Sequence, residues 1–239
     1  MSRDGDAGER REDGLIPKHG GYRNLKSFQV AELIYDVTVL FCEKFIDRRS
    51  RTYDQMVQAA RSGRQNIAEG SVDSGTSKKI ELKLTGIAKG SLEELRLDYE
   101  DFLRQRSLPQ WPPDHPALKR FKALRCATLP EFRAWVAREV HRAESATETC
   151  GETNTDLHGQ PRTRNDRGDS HVDPCKSVPV RVPSQALPAV LAANGALSLL
   201  NLCIHLVGRQ MAAQAAAFEK EGGFTERLYR TRQRRRQGS

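Results

Sequence analysis

The chain lacks several patterns that would assign it to a well-defined class of protein. No segment approaches the roughly 18 consecutive apolar residues of a membrane-spanning helix, and the first twenty residues contain no apolar core of a secretory signal. The five cysteines are odd in number and none is spaced Cys-x-x-Cys, which argues against a disulfide framework or a zinc site. We therefore expect a cytoplasmic protein with no membrane anchor, metal or cofactor.

A recognisable catalytic arrangement is also missing. The six histidines are scattered, serine, histidine and aspartate form no nucleophile pattern, and Glu69 has no partner acid or base. We expect no enzymatic activity. Hydrophobic residues make up only 37% of the chain, which is low for a compact domain and indicates unfolded segments around an ordinary core.

Hydrophobic periodicity in the first half of the chain predicts three helices. Apolar residues recur at three- and four-residue steps from about Asn24 to Phe45, from Thr52 to Gly70 and from Ser77 to about Arg106. Thr52 followed by Gln55 resembles a capping box, and Gly70 is expected to end the second helix. Within the third helix, small residues are expected to mark contacts with neighbouring helices, within or between subunits: Gly86, Gly90 and Ser91.

The remaining helical patterns complete the predicted fold. Ala117–Arg125 and Leu129 to about Arg142 together act as a fourth helix, and the short connections between the first three helices favour antiparallel neighbours. The prediction is an all-α, antiparallel up-and-down four-helix bundle. A separate helix from about Pro188 to Glu221 carries an apolar seam close to a coiled-coil repeat, and Gly222 is expected to stop it.

These patterns divide the chain into five predicted regions. A disordered N-terminus (1–21) precedes the bundle (22–142), and a disordered linker (143–183) tethers the C-terminal suffix helix (184–222) to it. A disordered basic tail (223–239) ends the chain. The linker is rich in Thr, Asn, Asp, Gly, Ser and Pro and has almost no large apolar residue, a composition typical of disorder.

Basic charge is concentrated at a few places and provides the only functional indication. The net charge is +8, and residues 222–239 alone carry six arginines against one glutamate. Tyr229 in this tail offers a face on which a base could stack. The candidate nucleic-acid-binding residues lie in one turn, on the second helix, at the start of the third helix and in the tail: Arg48, Arg49, Arg51, Arg61, Arg64, Lys78, Lys79, Lys83, Arg227, Arg230, Arg232, Arg234, Arg235 and Arg236.

Each candidate group also has a structural interpretation. For Arg61 and Arg64, this is pairing with Glu69 or with an acidic residue of a neighbouring helix, which the sequence favours over a phosphate-contacting face. The arginines between 48 and 51 fit an ordinary solvated loop, and the tail fits a solubilising segment or a site for an acidic protein.

Several motifs resemble a known family. The segments QNIAEG (65–70) and GSLEEL (90–95) are similar to the bacterial four-helix-bundle family of 23S rRNA intervening-sequence proteins, which includes accessory proteins of diversity-generating retroelements. The likeness is greatest to the subgroup called four helix bundle suffix proteins. It extends through NLKSFQVAELIYD (24–36), DQMVQAARSGRQNIAEGS (54–71), ANGALSLLNLCIHLVGRQ (193–210) and EKEGGFTERLYRTR (219–232).

The resemblance implies an up-and-down bundle that assembles as a ring-like homopentamer. In the retroelement branch of the family, basic pentamers bind nucleic acid and partner a reverse transcriptase. The first hypothesis for this chain is therefore a non-catalytic homo-oligomeric bundle that binds RNA or DNA nonspecifically as an accessory or scaffold protein. The alternative is a protein-interaction adaptor that uses the suffix helix to bind a protein partner, without nucleic acid.

Overall fold

The computed structural model describes residues 20–151, 182–222 and 224–237, and most of them are helical. After a 3-10 turn at Tyr22–Asn24, the helices are α1 (Lys26–Phe45), α2 (Arg51–Asp73), α3 (Lys78–Gln105), α4 (Pro116–Leu124), α5 (Leu129–Gly151), α6 (Leu187–Glu221) and α7 (Phe224–Gln237). No β-strand occurs in the described ranges. The all-α helical bundle expected from the sequence is confirmed.

The chain forms two compact units that share its long helices. Unit 1 takes residues 1–35, 58–95 and 200–239, and unit 2 takes residues 36–57 and 96–199. Helices α1, α2, α3 and α6 each contribute residues to both units, whereas α4 and α5 belong to unit 2 and α7 to unit 1.

In unit 1, α2 and α3 pack closely at two glycines of α2. A Cβ atom on Gly63 would lie 2.8 Å from Leu92 Cδ2, and one on Gly70 would lie 3.3 Å from the Glu81 carbonyl oxygen. Residue numbers increase along α2 while they decrease along α3, so this pair is antiparallel. The sequence had predicted that Gly70 ends α2, and this prediction is wrong. Gly70 lets α3 approach while the helix continues to Asp73.

The C-terminal half of α6 packs against α1 and α3 in unit 1. Ser27 Oγ donates to Gln210 Oε1 at 2.8 Å, and Gln214 Nε2 donates to Glu81 Oε1 at 3.0 Å. Met211 lies beside Gly86. In this unit the fourth helix is thus α6, and not the α4–α5 segment that the sequence had suggested. The predicted suffix helix is an integral part of the fold.

In unit 2, aromatic rings of α1 and α3 form the centre of the core. Phe41 packs against Tyr99 and Phe102, with ring centroids 4.8 Å apart in both pairs. Tyr99 is fully buried and its hydroxyl donates to Thr38 Oγ1 at 3.1 Å. Cys42 is buried beside Met56, and this burial raises the pKa of its thiol to about 12, so it is a core residue as expected.

The rest of unit 2 is organised around the first turns of α6. Gly195 faces Trp135 and Phe132 of α5. Asn194 is buried and accepts a hydrogen bond from Trp111 N at 2.7 Å while its amide donates to the Pro109 carbonyl at 3.0 Å. One side chain therefore satisfies two backbone groups of the proline-rich connection before α4.

The start of α2 differs from the predicted capping box. The cap of α2 is Ser50, whose Oγ accepts a hydrogen bond from Thr52 N, so Thr52 itself is not the cap. At the start of α5, the Glu131 carboxylate accepts hydrogen bonds from Ala127 N and Thr128 N, as the glutamate of a capping box does.

The C-terminal region differs most from the prediction. Gly222 ends α6 in the left-handed conformation, with φ of +72° and its N–H bonded to the Phe218 carbonyl. The chain then forms α7, so the tail expected to be disordered is helical from Phe224 to Gln237.

Two other predicted boundaries move or stay open. Helix α5 continues to Gly151, beyond the predicted start of the linker at 143. Residues 1–19 and 152–181, where disorder was also predicted, lie outside the described residues.

Helix α6 is long and apolar enough to cross a membrane by length and composition. Within Leu187–Lys220, 61% of the window that meets this criterion is buried inside the protein, as in a core helix. The hydrogen bonds of Gln210 and Gln214 to α1 and α3, and of Asn194 to the connection before α4, agree with packing inside the protein.

Candidate nucleic-acid interface

Helix α7 carries the densest group of predicted candidates. It has 14 residues, about 21 Å of helix, and contains Arg227, Arg230, Arg232, Arg234, Arg235 and Arg236. Of these, Arg230, Arg232 and Arg236 have described side chains, and all three are exposed. Tyr229 is 62% exposed, and its hydroxyl accepts a hydrogen bond from Gln233 Nε2 at 2.8 Å.

The arginine positions surround most of α7 rather than lining one face. At 100° per residue, positions 227, 230 and 234 fall together, 232 and 236 fall on the opposite side, and 235 falls between these groups. Leu228 and Thr231 are half-buried. The half-buried side of the helix lies between these two groups, next to position 235, so arginine positions flank it on both edges. The side with Tyr229 and Gln233 carries no arginine.

The turn between α1 and α2, in unit 2, holds the second candidate group. Arg48, Arg49 and Arg51 are exposed. Asp47 Oδ1 accepts a hydrogen bond from Arg49 N at 2.9 Å, which holds the backbone of the turn and places one negative charge among the three positive ones. The cluster is accessible, and its local charge is lower than the three arginines alone suggest.

On α2, the two predicted arginines have different environments. Arg61 is exposed, whereas Arg64 is half-buried with its guanidinium 4.5 Å from the centre of the Tyr35 ring. A cation over an aromatic face is attracted by the ring quadrupole. Arg64 therefore already has a partner within unit 1, and this partner is an aromatic ring rather than the acidic residue considered from the sequence.

The lysines at the start of α3 are divided in the same way. Lys78 lies 3.4 Å from Glu81, and its side chain is largely covered. Lys79 and Lys83 are exposed one turn apart. Because Gly70 of α2 packs beside Glu81 while Gly63 packs beside Leu92, Lys79 and Lys83 lie roughly two to four turns along the helix pair from Arg61. The structure does not bring these cations into one cluster.

Residue spacings in the tail indicate a helix, although its composition had suggested disorder. Glu226 lies in the first turn, where a negative charge favours the helix, and Arg230 follows it by four residues. Tyr229 and Gln233 are spaced four apart as well, and they are hydrogen-bonded. These spacings are typical of a helix, so composition alone was a poor guide to the tail.

Metal-binding residue types do not cluster in the described part of the chain. Residues 20–151, 182–222 and 224–237 contain no group of three His, Cys, Asp or Glu side chains placed to hold a metal ion.

No protein-family model, curated protein or solved structure matches this chain. The family resemblance seen in the motifs therefore remains a prediction, and function has to be inferred from the chain's own surfaces.

A partly buried ion pair in unit 2 stabilises the packing of α4 on α5. Arg120 of α4 donates two hydrogen bonds to the Glu139 carboxylate of α5, at 2.7 and 2.6 Å, and Glu139 is almost fully buried. These bonds hold the pKa of Glu139 below its usual value of 4.5. Arg142 adds a second positive charge at 3.9 Å.

This pair predicts a loss of stability in acid. Because the folded-state pKa of Glu139 lies below the unfolded value of 4.5, its contribution is complete above that value and is lost as the pH falls through the folded pKa. Glu139→Gln should destabilise the protein at pH 7 by about 1 kcal/mol, a small value because Arg120 is 39% exposed. Urea unfolding of both proteins at successively lower pH measures the difference, which should shrink below pH 4.5. A difference that is independent of pH would contradict the pairing.

Proposed function

We propose that this chain is a non-catalytic, homo-oligomeric helical bundle that binds nucleic acid nonspecifically through backbone electrostatics. The observation that carries the proposal is α7, a 14-residue helix with six arginines distributed around it. Arginines that neutralise phosphates release condensed counterions, and this release drives binding without reading the base sequence.

The distribution of charge on α7 favours nucleic acid over a membrane surface. A helix that lies on a lipid surface needs a wide apolar face opposite its cations. In α7, only Leu228 and Thr231 are half-buried among the described side chains, and arginine positions flank this half-buried side on both edges. A helix charged on several sides suits a groove, because phosphates flank it on both sides there, and exposed Tyr229 offers a stacking surface to a single-stranded base.

Other exposed cations provide further basic surface within each unit. Arg48, Arg49 and Arg51 in unit 2, and Arg61, Lys79 and Lys83 in unit 1, are accessible. Arg64 and Lys78 are left out of the proposed interface because they are held by Tyr35 and Glu81.

Self-association is proposed from the outer surface of α3 in unit 1. Ile80 and Ile87 are large apolar side chains that are 46% and 44% exposed. A Cβ atom on Gly90 would have no heavy atom within 4 Å, so this position is open to a close neighbour. The three positions recur at three and seven residues along one side of α3. Several copies of α7 in one assembly would bind a polyanion together, which raises the overall affinity by avidity.

Fluorescence anisotropy with labelled duplex DNA, duplex RNA and single strands tests the function. For about six phosphate contacts, raising the salt from ~50 to ~200 mM should weaken binding by about 10³-fold, with little dependence on base sequence. Mass measurement of the same sample reports the oligomer.

Anionic lipid vesicles serve as the control surface in the same titration. Weaker binding to vesicles than to nucleic acid is expected, since α7 lacks a wide apolar face. Absence of binding to every nucleic acid at ~50 mM salt would overturn the proposal. Tighter binding to vesicles would assign the basic surface to a membrane.

A further inference from the structure

Unit 2 contains a cavity that the proposed function does not use. Its volume is about 410 Å³, and it lies between α1 and α5 with the first turns of α6 at its base. The floor consists of the buried side chains Val37, Phe41, Phe132 and Ala192. All the lining residues belong to unit 2.

The packing of α5 on α6 explains why this space stays open. Phe132 and Trp135 are directed toward Gly195, where the missing side chain makes room for both rings. Beyond this contact the facing side chain of α5 is Val136, whose short β-branched side chain is only half-buried. Leu40 and Phe45 of α1 are half-buried across from it. The two helices are thus held apart by large rings at one point, and smaller residues do not fill the gap that follows.

Charged groups surround the mouth of the cavity unevenly. Lys44 of α1 and Arg133 and His141 of α5 belong to the lining and are exposed. Glu144 is the lining's one carboxylate. The apolar interior therefore opens onto a rim with more positive than negative charge, and the ligand that complements it has an apolar body and an anionic head.

We propose that this cavity binds a small amphipathic anion, a medium-chain carboxylate. The span from Val37 to Phe45 corresponds to about 12 Å of helix, which sets the length of the apolar body. Its chain would lie against Phe41 and Val136, and its carboxylate would lie at the rim near Lys44 and Arg133. Burial of the ligand's alkyl chain provides the affinity, and Lys44 and Arg133 select a negatively charged head group.

The dimensions favour a small molecule over a protein helix. Small-molecule pockets occupy about 300–1,000 Å³, and this cavity falls near the lower end of that range. An α-helix with its side chains is about 10–12 Å across, and it needs a long open groove. Here the lining comes from three helices of a single unit and spans only about 12 Å.

Isothermal titration calorimetry of the full chain with decanoate, below its micelle concentration, tests the site. We expect saturable binding of one decanoate per chain. Hexanoate should bind on the order of 10²-fold more weakly, because each methylene removed weakens binding roughly fourfold. Decyltrimethylammonium, with the same chain and a positive head, should bind at least about tenfold more weakly than decanoate.

Two variants separate the cavity from nonspecific adsorption. Val136→Trp fills the apolar space and should abolish decanoate binding, whereas Leu124→Trp adds the same ring at an exposed site on α4 and should leave binding unchanged. The double variant Lys44→Glu with Arg133→Glu changes exposed residues only, so it should fold, and it should reverse the head-group preference. If Val136→Trp does not fold, this double variant still tests the proposal.

Three results would overturn the proposal. They are non-saturable binding of decanoate, equal binding by the two tryptophan variants, and an unchanged head-group preference after charge reversal. If decanoate does not bind and Val136→Trp alters the mass of the assembly, the cavity is part of a contact between copies of the chain.

Discussion

Replacing the six arginines of α7 with glutamine should lower the affinity for duplex DNA by about 10³-fold at ~50 mM salt. The slope of log affinity against log salt should decrease by about five, since each phosphate contact contributes about 0.9 to it. Glutamine is a good helix former, so the helical backbone from Phe224 to Gln237 is expected to persist. Fluorescence anisotropy across a salt series gives both quantities, and circular dichroism reports the helix content.

A matched control for this variant replaces the same six arginines with lysine. The charge is unchanged, so the salt slope should remain near the original value. A lysine variant that loses as much affinity as the glutamine variant would show that guanidinium geometry, and not counterion release, dominates. A glutamine variant that binds within a few-fold of the original chain would exclude α7 and leave the turn at Arg48–Arg51 as the main basic surface.

The helices themselves could be predicted because their residues repeat at short range. The limits of α1 and α3 agree with the predicted ones to within two residues at each end. Which apolar residues are buried was predicted less well. Ile80 and Ile87 continue the apolar period of α3, yet they are exposed, while Glu81 and Thr85 are buried on the same helix. Sequence patterns treat glutamate as a surface residue, and the partner that covers it, Gln214, lies on α6.

The place of α6 depended on long-range contacts that periodicity does not describe. Its seam was recognised, and Leu197, Leu200 and Val207 are indeed buried. An apolar seam indicates that some surface covers it, but not which one. The covering surfaces include α1 and α3 in unit 1 and α5 in unit 2. Much of the seam on which the adaptor hypothesis rested is therefore already in contact with other helices of the same chain.

The sequence predicted where positive charge lies better than which cations are held by other side chains of the protein. Composition located the positive charge in the tail and at the α1–α2 turn, where the described side chains are exposed. It did not show that Arg64 lies over Tyr35, because the two residues belong to different helices and only folding brings them together. The same limit applies to Arg120, whose carboxylate partner Glu139 lies on the next helix.

Two glycines of α6 should respond in opposite directions to the same substitution. A Cβ atom on Gly195 would lie 2.8 Å from Trp135 Cζ3 and 2.9 Å from Phe132 Cε2. Both rings are buried and also pack against Phe121, so neither has space to withdraw. Gly195→Ala should therefore lower the free energy of unfolding by about 1–3 kcal/mol, although alanine favours a helix more than glycine does.

Gly208→Ala is the control in the same helix, because a Cβ atom at Gly208 would have no heavy atom within 4 Å. There only helix propensity changes, and the free energy of unfolding should rise by up to about 1 kcal/mol. Urea unfolding followed by far-ultraviolet circular dichroism reports all helices and compares both variants with the original chain. Stabilisation by Gly195→Ala would contradict the close packing of α5 on α6, and with it the spacing that keeps the cavity between α1 and α5 open. Destabilisation by Gly208→Ala would show instead that this open position is covered in the assembled protein, which would place the exposed side of α6 in a contact between copies.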